Sequence, residues 1–247
     1  MQFSDRTIAG MVGKCLFAVA AVLLAGNAAS QTYTLIELDG GDGLASIALR
    51  VNSSGQVLGY VQDASGAQAF VWDETTGRQY LGTLPGGSYA LPNDMNEAGQ
   101  VAGIAQVPSG SHAFRWDPTN GMQDLGILPG GTSSYAADIN ELGLVTGHSS
   151  VPPAFRGFLW DPTSGMQDLE ILAGYEASTA VRMNDVGQIA GVLTNFTATT
   201  QHVFLWDATN GMQDLGTLPC LPWAYVSAIN GAGQIAGSAY NLSLIHI

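Results

Sequence analysis

"HAFRWDPTNGMQDLGILPGG", residues 112–131, returns ninety positions later as "HVFLWDATNGMQDLGTLPC", residues 202–220. Aligning the chain on itself extends that echo. The dipeptide Trp-Asp stands at Trp72-Asp73, Trp116-Asp117, Trp160-Asp161 and Trp206-Asp207, at intervals of 44, 44 and 46. A second marker, Asn-x-x-Gly, begins at Asn52, Asn96, Asn140, Asn184 and Asn230, at intervals of 44, 44, 44 and 46. Two independent markers with one period define tandem units, and a period of this size belongs to solenoids, arrays or propellers.

Each unit divides into four short apolar runs, exemplified by "YAADI" (135–139), "QVAGIA" (100–105), "HAFRW" (112–116) and "MQDLGIL" (122–128). The intervening "NEAG" (96–99) and "DPTNG" (117–121) carry hairpin chemistry: Asn or Asp folds its side chain onto the backbone, Pro presets φ, and Gly takes positive φ. No unit shows a 3.6-residue apolar period, and 32 glycines interrupt the chain too often for helix. The fold predicted is all-β: a partial β-propeller of four-stranded antiparallel blades, with four complete repeats and half of a fifth. Another β repeat solenoid is the alternative, but the coils of a β-helix are shorter and lack alternating tight hairpins. The aromatic pairs Phe70/Trp72, Phe114/Trp116, Phe158/Trp160 and Phe204/Trp206 fall on one face of their sheets and are expected to be the buried layer between blades. "YTLIEL" (33–38) reads like a fourth strand standing before any complete unit, placed to complete a last blade and fasten a ring.

The two ends read differently from the repeats. Residues 1–30 have the pattern of a signal peptide: Arg6 and Lys14, the apolar "CLFAVAAVLLAG" (15–26), then small residues at Ala28-Ala29-Ser30. About twelve apolar residues fall short of the roughly twenty that span a bilayer, so no membrane span is expected in the mature segment. The repeat domain is assigned to 31–241. The last six residues, "LSLIHI" (242–247), break the pattern and match the translation CTG TCT CTT ATA CAC ATC of a transposase-end sequencing adapter, so they are read as an artefact. The whole chain carries a net charge of −13, and its only lysine, Lys14, lies in the leader. That field disfavours nucleic acid as a partner. Cys220 is the one thiol outside the leader and has no internal partner.

"HAFRW", with "GMQDLG" and the "IN..GQ.AG" pattern, resembles the HAF family of extracellular repeat proteins over residues 33–240. The His of that name is present at His112 and His202, with Gln68 and Arg156 at the matching sites. The resemblance implies a bacterial exported protein of tandem β repeats, and implies no reaction or catalytic residue. The likeness to WD-repeat propellers is weaker, for the Gly-His part of that signature is missing.

The sequence assembles no catalytic, metal or cofactor site. The Asp of each Trp-Asp is best explained as a turn cap, and the Asn-x-x-Gly turns lack the alternating oxygens of a calcium loop. His112 and His202 have no consistent carboxylate beside them in the sequence and are read as hydrogen-bonders at an edge. No serine has a nucleophile-elbow context. The turns within hairpins one and three of each unit fall at one end of the blades, and the variable loops and inter-unit links at the other. Tyr89, Tyr135, Tyr175, Glu176 and Trp223 lie in those links and form the candidate binding face, since loops on rigid scaffolds are where recognition concentrates. The function predicted is binding of a protein or glycan at the envelope or outside the cell. The alternative is a secreted propeller enzyme acting on a polysaccharide, which would need polar groups converging near the channel and breaking the repeat.

Overall fold

A computed structural model describes residues 19–21, 35–38, 45–64 and 66–241. The described residues are strands and turns, with no helix. β1 (Val19–Ala21) and β2 (Leu35–Glu37) pair antiparallel as a ribbon of their own. The first full sheet is β3 (Ser46–Val51), β4 (Val57–Asp63), β5 (Gly66–Asp73) and β6 (Gly77–Tyr80). The second is β7 (Ala90–Met95), β8 (Val101–Val107), β9 (Gly110–Asp117) and β10 (Gly121–Asp124). The third is β11 (Ser133–Ile139), β12 (Val145–Val151), β13 (Ala154–Asp161) and β14 (Gly165–Asp168). The fourth is β15 (Ala177–Met183), β16 (Ile189–Asn195), β17 (Thr200–Asp207) and β18 (Gly211–Gly216). Two strands, β19 (Trp223–Ile229) and β20 (Ile235–Tyr240), form the fifth. Every pairing is antiparallel between chain neighbours, as a propeller blade requires. Contacts join the first strands of successive sheets to one another, so these strands line the common axis.

Packing between blades explains the repeated letters. The ring of Phe114 is fully buried in a cluster with Leu58, Ala69 and Val71 of the preceding blade, and Phe158 likewise meets Ala102 and Ala113. Phe70 and Phe204 are equally buried. Removing such a ring from water contributes about 1.5–3 kcal/mol. Each Phe lies opposite a glycine on the neighbouring strand, Gly103 for Phe114 and Gly191 for Phe204. A Cβ on Gly103 would stand 2.8 Å from the Phe114 ring and 2.2 Å from the Leu91 carbonyl, so the small residue is what lets the ring cross the strand. This is the physical content of the recurring "AG".

Two features differ from the sequence expectation, and a third group of readings lies largely outside the described residues. Of the four tryptophans only Trp160 is buried, at 4% exposure; Trp72, Trp116 and Trp206 are half-buried. The reason is what lies on them from the blade before: Arg115 extends its guanidinium over Trp160 at 6.0 Å from the ring centroid. The residues at the matching position before Trp116 and Trp206 are the shorter Val71 and Leu159. Next, of the run 33–38 the described residues 35–37 form a strand, and it pairs with β1 rather than with the fifth sheet. That sheet has two strands among the described residues and so offers no third strand to a fourth. Finally, the leader and terminal readings fall largely outside the described residues: of 1–30 only the β1 backbone is described, and 242–247 not at all.

Candidate functional site

At the axis, every first strand carries a β-bulge. Register slips between Ala48 and Arg50, Pro92 and Asp94, Ala136 and Asp138, Ala180 and Arg182, and Val226 and Ala228. A bulge bends the strand and re-aims the side chain that follows it. The residue so re-aimed, two before the turn Asn, is Arg50, Asp94, Asp138, Arg182 and Ala228 in the five units.

These groups bind one another across blades. Arg50 Nε donates to Asp94 Oδ1 at 3.0 Å. Asp94 Oδ2 also faces the Ile139 amide at 3.4 Å, and Asp138 Oδ2 accepts from Met183 N at 2.7 Å. Burial, reinforced by the adjacent Asp94, pushes the Asp138 carboxyl well above the usual carboxylate range. Burial therefore disfavours the charged form of Asp138, while Asp94 is held by Arg50. Both guanidiniums are pinned at the bulge: Arg50 Nη1 to Leu49 O at 3.0 Å, Arg182 Nη1 to Val181 O at 2.8 Å, and Arg182 Nε to Ser227 O at 3.0 Å.

Beside this chain lies a cavity of about 310 Å³ lined by Arg50, Asn93, Tyr135, His148, Arg182 and Tyr225, among others. Tyr135 stacks on His148 with centroids 5.2 Å apart, and Phe155 meets the other side of the imidazole edge-on at 5.3 Å. Burial lowers the His148 pKa, and its Nδ1 is buried without a hydrogen-bond partner among the described residues. Tyr225 is 51% exposed. The lining offers cations, an amide and rings, which suits non-covalent recognition.

The five link residues are not gathered on one face. Tyr135 alone borders the axial cavity. Tyr89 is half-buried, its hydroxyl 2.7 Å from Ser111 Oγ. The Tyr175 hydroxyl bonds to His202 and Asp214 and is pushed up to about 12 by burial and by that carboxylate. Glu176 caps the loop at Phe196 N, 2.9 Å, and Thr197 Oγ1, 3.2 Å. Trp223 lies half-buried in β19 opposite Tyr240. These four brace the scaffold.

The histidines do have carboxylate partners, contrary to the sequence reading. His112 Nδ1 lies 2.9 Å from Asp124, His202 Nδ1 lies 3.0 Å from Asp214, and Arg156 Nη1 lies 3.1 Å from Asp168. The signal was present: a basic residue occurs with an Asp twelve positions on, whereas Gln68 occurs with Tyr80. The Trp-Asp carboxylates cap their turns as read. Asp161, held below the usual range by the backbone amides of Ser164 and Thr163, shows the pattern. Among the described residues no group of three His, Cys, Asp or Glu is placed to hold a metal ion.

No protein-family model matches this chain, and no curated protein does. Solved structures do. TolB from Acinetobacter baumannii superposes with a TM-score of 0.52 at 14% identity, over 74% of this chain and 46% of TolB. The β-propeller domain of the trilobed protease from Pyrococcus furiosus gives 0.49 at 12% identity, over 70% of this chain and 52% of that one. An arginine-to-alanine mutant of AofleA from Arthrobotrys oligospora gives 0.44 at 13%, over 84% and 69%. This chain thus spans under half the length of TolB. At such identities the likeness shows the fold alone, and that fold is a β-propeller.

Proposed function

We propose that this is an exported, non-catalytic repeat protein of HAF type that binds a glycan or protein ligand, with the axial cavity as its recognition site. The observation that carries the reading is that departures from the repeat concentrate there. The first-strand position that holds Ile47, Leu91 and Thr179 in three units holds Tyr135 and Tyr225 in the other two, and the bulge position supplies Arg50 and Arg182. Export is supported by the leader pattern of residues 1–30 and by the resemblance of the repeats. The polysaccharide-enzyme reading has less support. Of the obvious acid pair, Asp94 is held by Arg50 and Asp138 by the Met183 amide, and neither lines the cavity.

The test is a glycan array and a pull-down with the full chain, comparing Tyr225→Ala with Tyr89→Ala. Tyr225→Ala should weaken binding about tenfold with an unchanged melting temperature, as for an exposed aromatic anchor. Tyr89→Ala should leave binding intact. The opposite pattern would return the site to the outer loops.

A further inference from the structure

We propose that the axial cavity takes an acidic sugar, its carboxylate held between Arg50 and Arg182 and its ring set against Tyr135 and Tyr225. The proposal rests on the cavity being the recognition site and adds the ligand class.

Cations are scarce in this chain. Outside the leader there are five arginines and no lysine. Arg115 and Arg156 are paired with Asp117 and Asp168 at 3.2 and 3.1 Å, and Arg78 lies over the Phe70 ring at 4.6 Å. The remaining two, Arg50, which is ion-paired with Asp94 at 3.0 Å, and Arg182, come from the first and fourth blades and meet at one cavity. In each, Nε and Nη1 are fixed by protein acceptors, and Nη2 has no protein partner among the described residues. Pre-pinned guanidiniums recognise a planar carboxylate with little further loss of freedom. With Arg50 paired to Asp94 at 3.0 Å and Asp138 raised by burial, the bulge groups keep the net positive charge of Arg182, which one carboxylate neutralises.

The rest of the lining suits a sugar ring better than a peptide. Tyr135 is stacked on His148, which Phe155 in turn packs edge-on, and Asn93 and Thr179 offer amide and hydroxyl groups to ring hydroxyls. About 310 Å³ is at the lower end of ligand pockets, room for one or two sugar rings. A net charge of −13 repels dense polyanions, whereas a uronic acid brings one charge among neutral hydroxyls.

Titration calorimetry of the full chain with glucuronate, glucose, inorganic phosphate and a short polyglutamate peptide tests this. Glucuronate should bind at least about tenfold more tightly than glucose and the other two anions. Arg182→Gln should bring glucuronate down to no better than glucose; an undiminished preference for glucuronate in that variant would overturn the carboxylate contact. Tyr225→Ala, at an exposed ring, should weaken both sugars without shifting the melt. If glucuronate binds no better than glucose while Tyr225→Ala still weakens both, the acidic-sugar assignment is overturned and the cavity stands. Phosphate or peptide binding better than glucuronate overturns the sugar class. Silence from every ligand with a folded protein overturns assignment and cavity together.

Discussion

A carboxyl that keeps its proton at neutral pH makes Asp138 the residue whose substitution says most about the axis. Its folded-state pKa is raised by burial and by Asp94. Its stability contribution is therefore fully present below the unfolded pKa near 4 and is lost as pH rises through the folded value, at up to about 1.4 kcal/mol per pH unit. Asp138→Asn keeps an oxygen for Met183 N and removes the titration. Chemical denaturation between pH 5 and 9 should show a flatter profile for the variant and greater stability at the alkaline end; an unchanged slope would mean that the pair is solvated. Gly191 is the steric counterpart. A Cβ there would lie 2.6 Å from the Phe204 ring and 2.2 Å from the Thr179 carbonyl, so Gly191→Ala should cost about 1–3 kcal/mol in a thermal or urea melt. Neither residue was singled out by reading the sequence. Gly191 was visible as the last letter of "AG" but not as the space for a ring, because the ring belongs to another strand. The charges at 50, 94, 138 and 182 occupy one repeat position, yet only the bulge, which shifts register by one residue, turns them toward each other.

Among the elements, the Asn-x-x-Gly turn does more than its sequence signature states. Asn140 Oδ1 accepts from Leu142 N and Leu144 N at 3.1 and 3.0 Å, the turn-closing role expected of it. Its Nδ2 also donates to Asn184 O in the next blade at 3.2 Å, as Asn96 does to Asn140 O at 2.9 Å and Asn184 to Asn230 O at 2.9 Å. Asn140→Ala should thus cost about 2–3 kcal/mol, clearly more than Asp161→Ala, whose bonds stay within one turn. Equal losses would show that the contact between blades contributes nothing. The aromatic pairs divide similarly. Phe114→Ala should cost about 3–5 kcal/mol, and Trp116→Ala, half-buried, under about 2 kcal/mol. Strand number, order and turn chemistry were legible because they are local and repeat five times. The inter-blade bonds were not, since they link a position to its own copy 44 residues away and leave no trace in either copy alone.

At the scale of the whole molecule, the outer edge of β20 has no partner strand among the described residues, and Leu215, Leu218, Tyr225 and Tyr240 are exposed around the fifth sheet. A cavity of about 370 Å³ with a mainly apolar lining opens there. Such an edge recruits other strands. Sedimentation should show concentration-dependent association of the chain, reduced by Ser238→Lys, which sets like charges opposite each other when two β20 edges pair; a concentration-independent monomer would show that the edge is already protected. One further feature gives the array a direction. The Glu97 carboxylate accepts from Ser53 N at 2.7 Å, that of Glu141 from Glu97 N at 3.0 Å, and that of Asp185 from Glu141 N at 3.0 Å, while the fifth unit places Gly231 at the corresponding site. The acceptor always belongs to the later unit and the amide to the earlier one. On a chain emerging N-terminus first, then, each of the first three units closes its own turn but gains this added carboxylate only when its successor appears, so these units are locked from behind, one unit late.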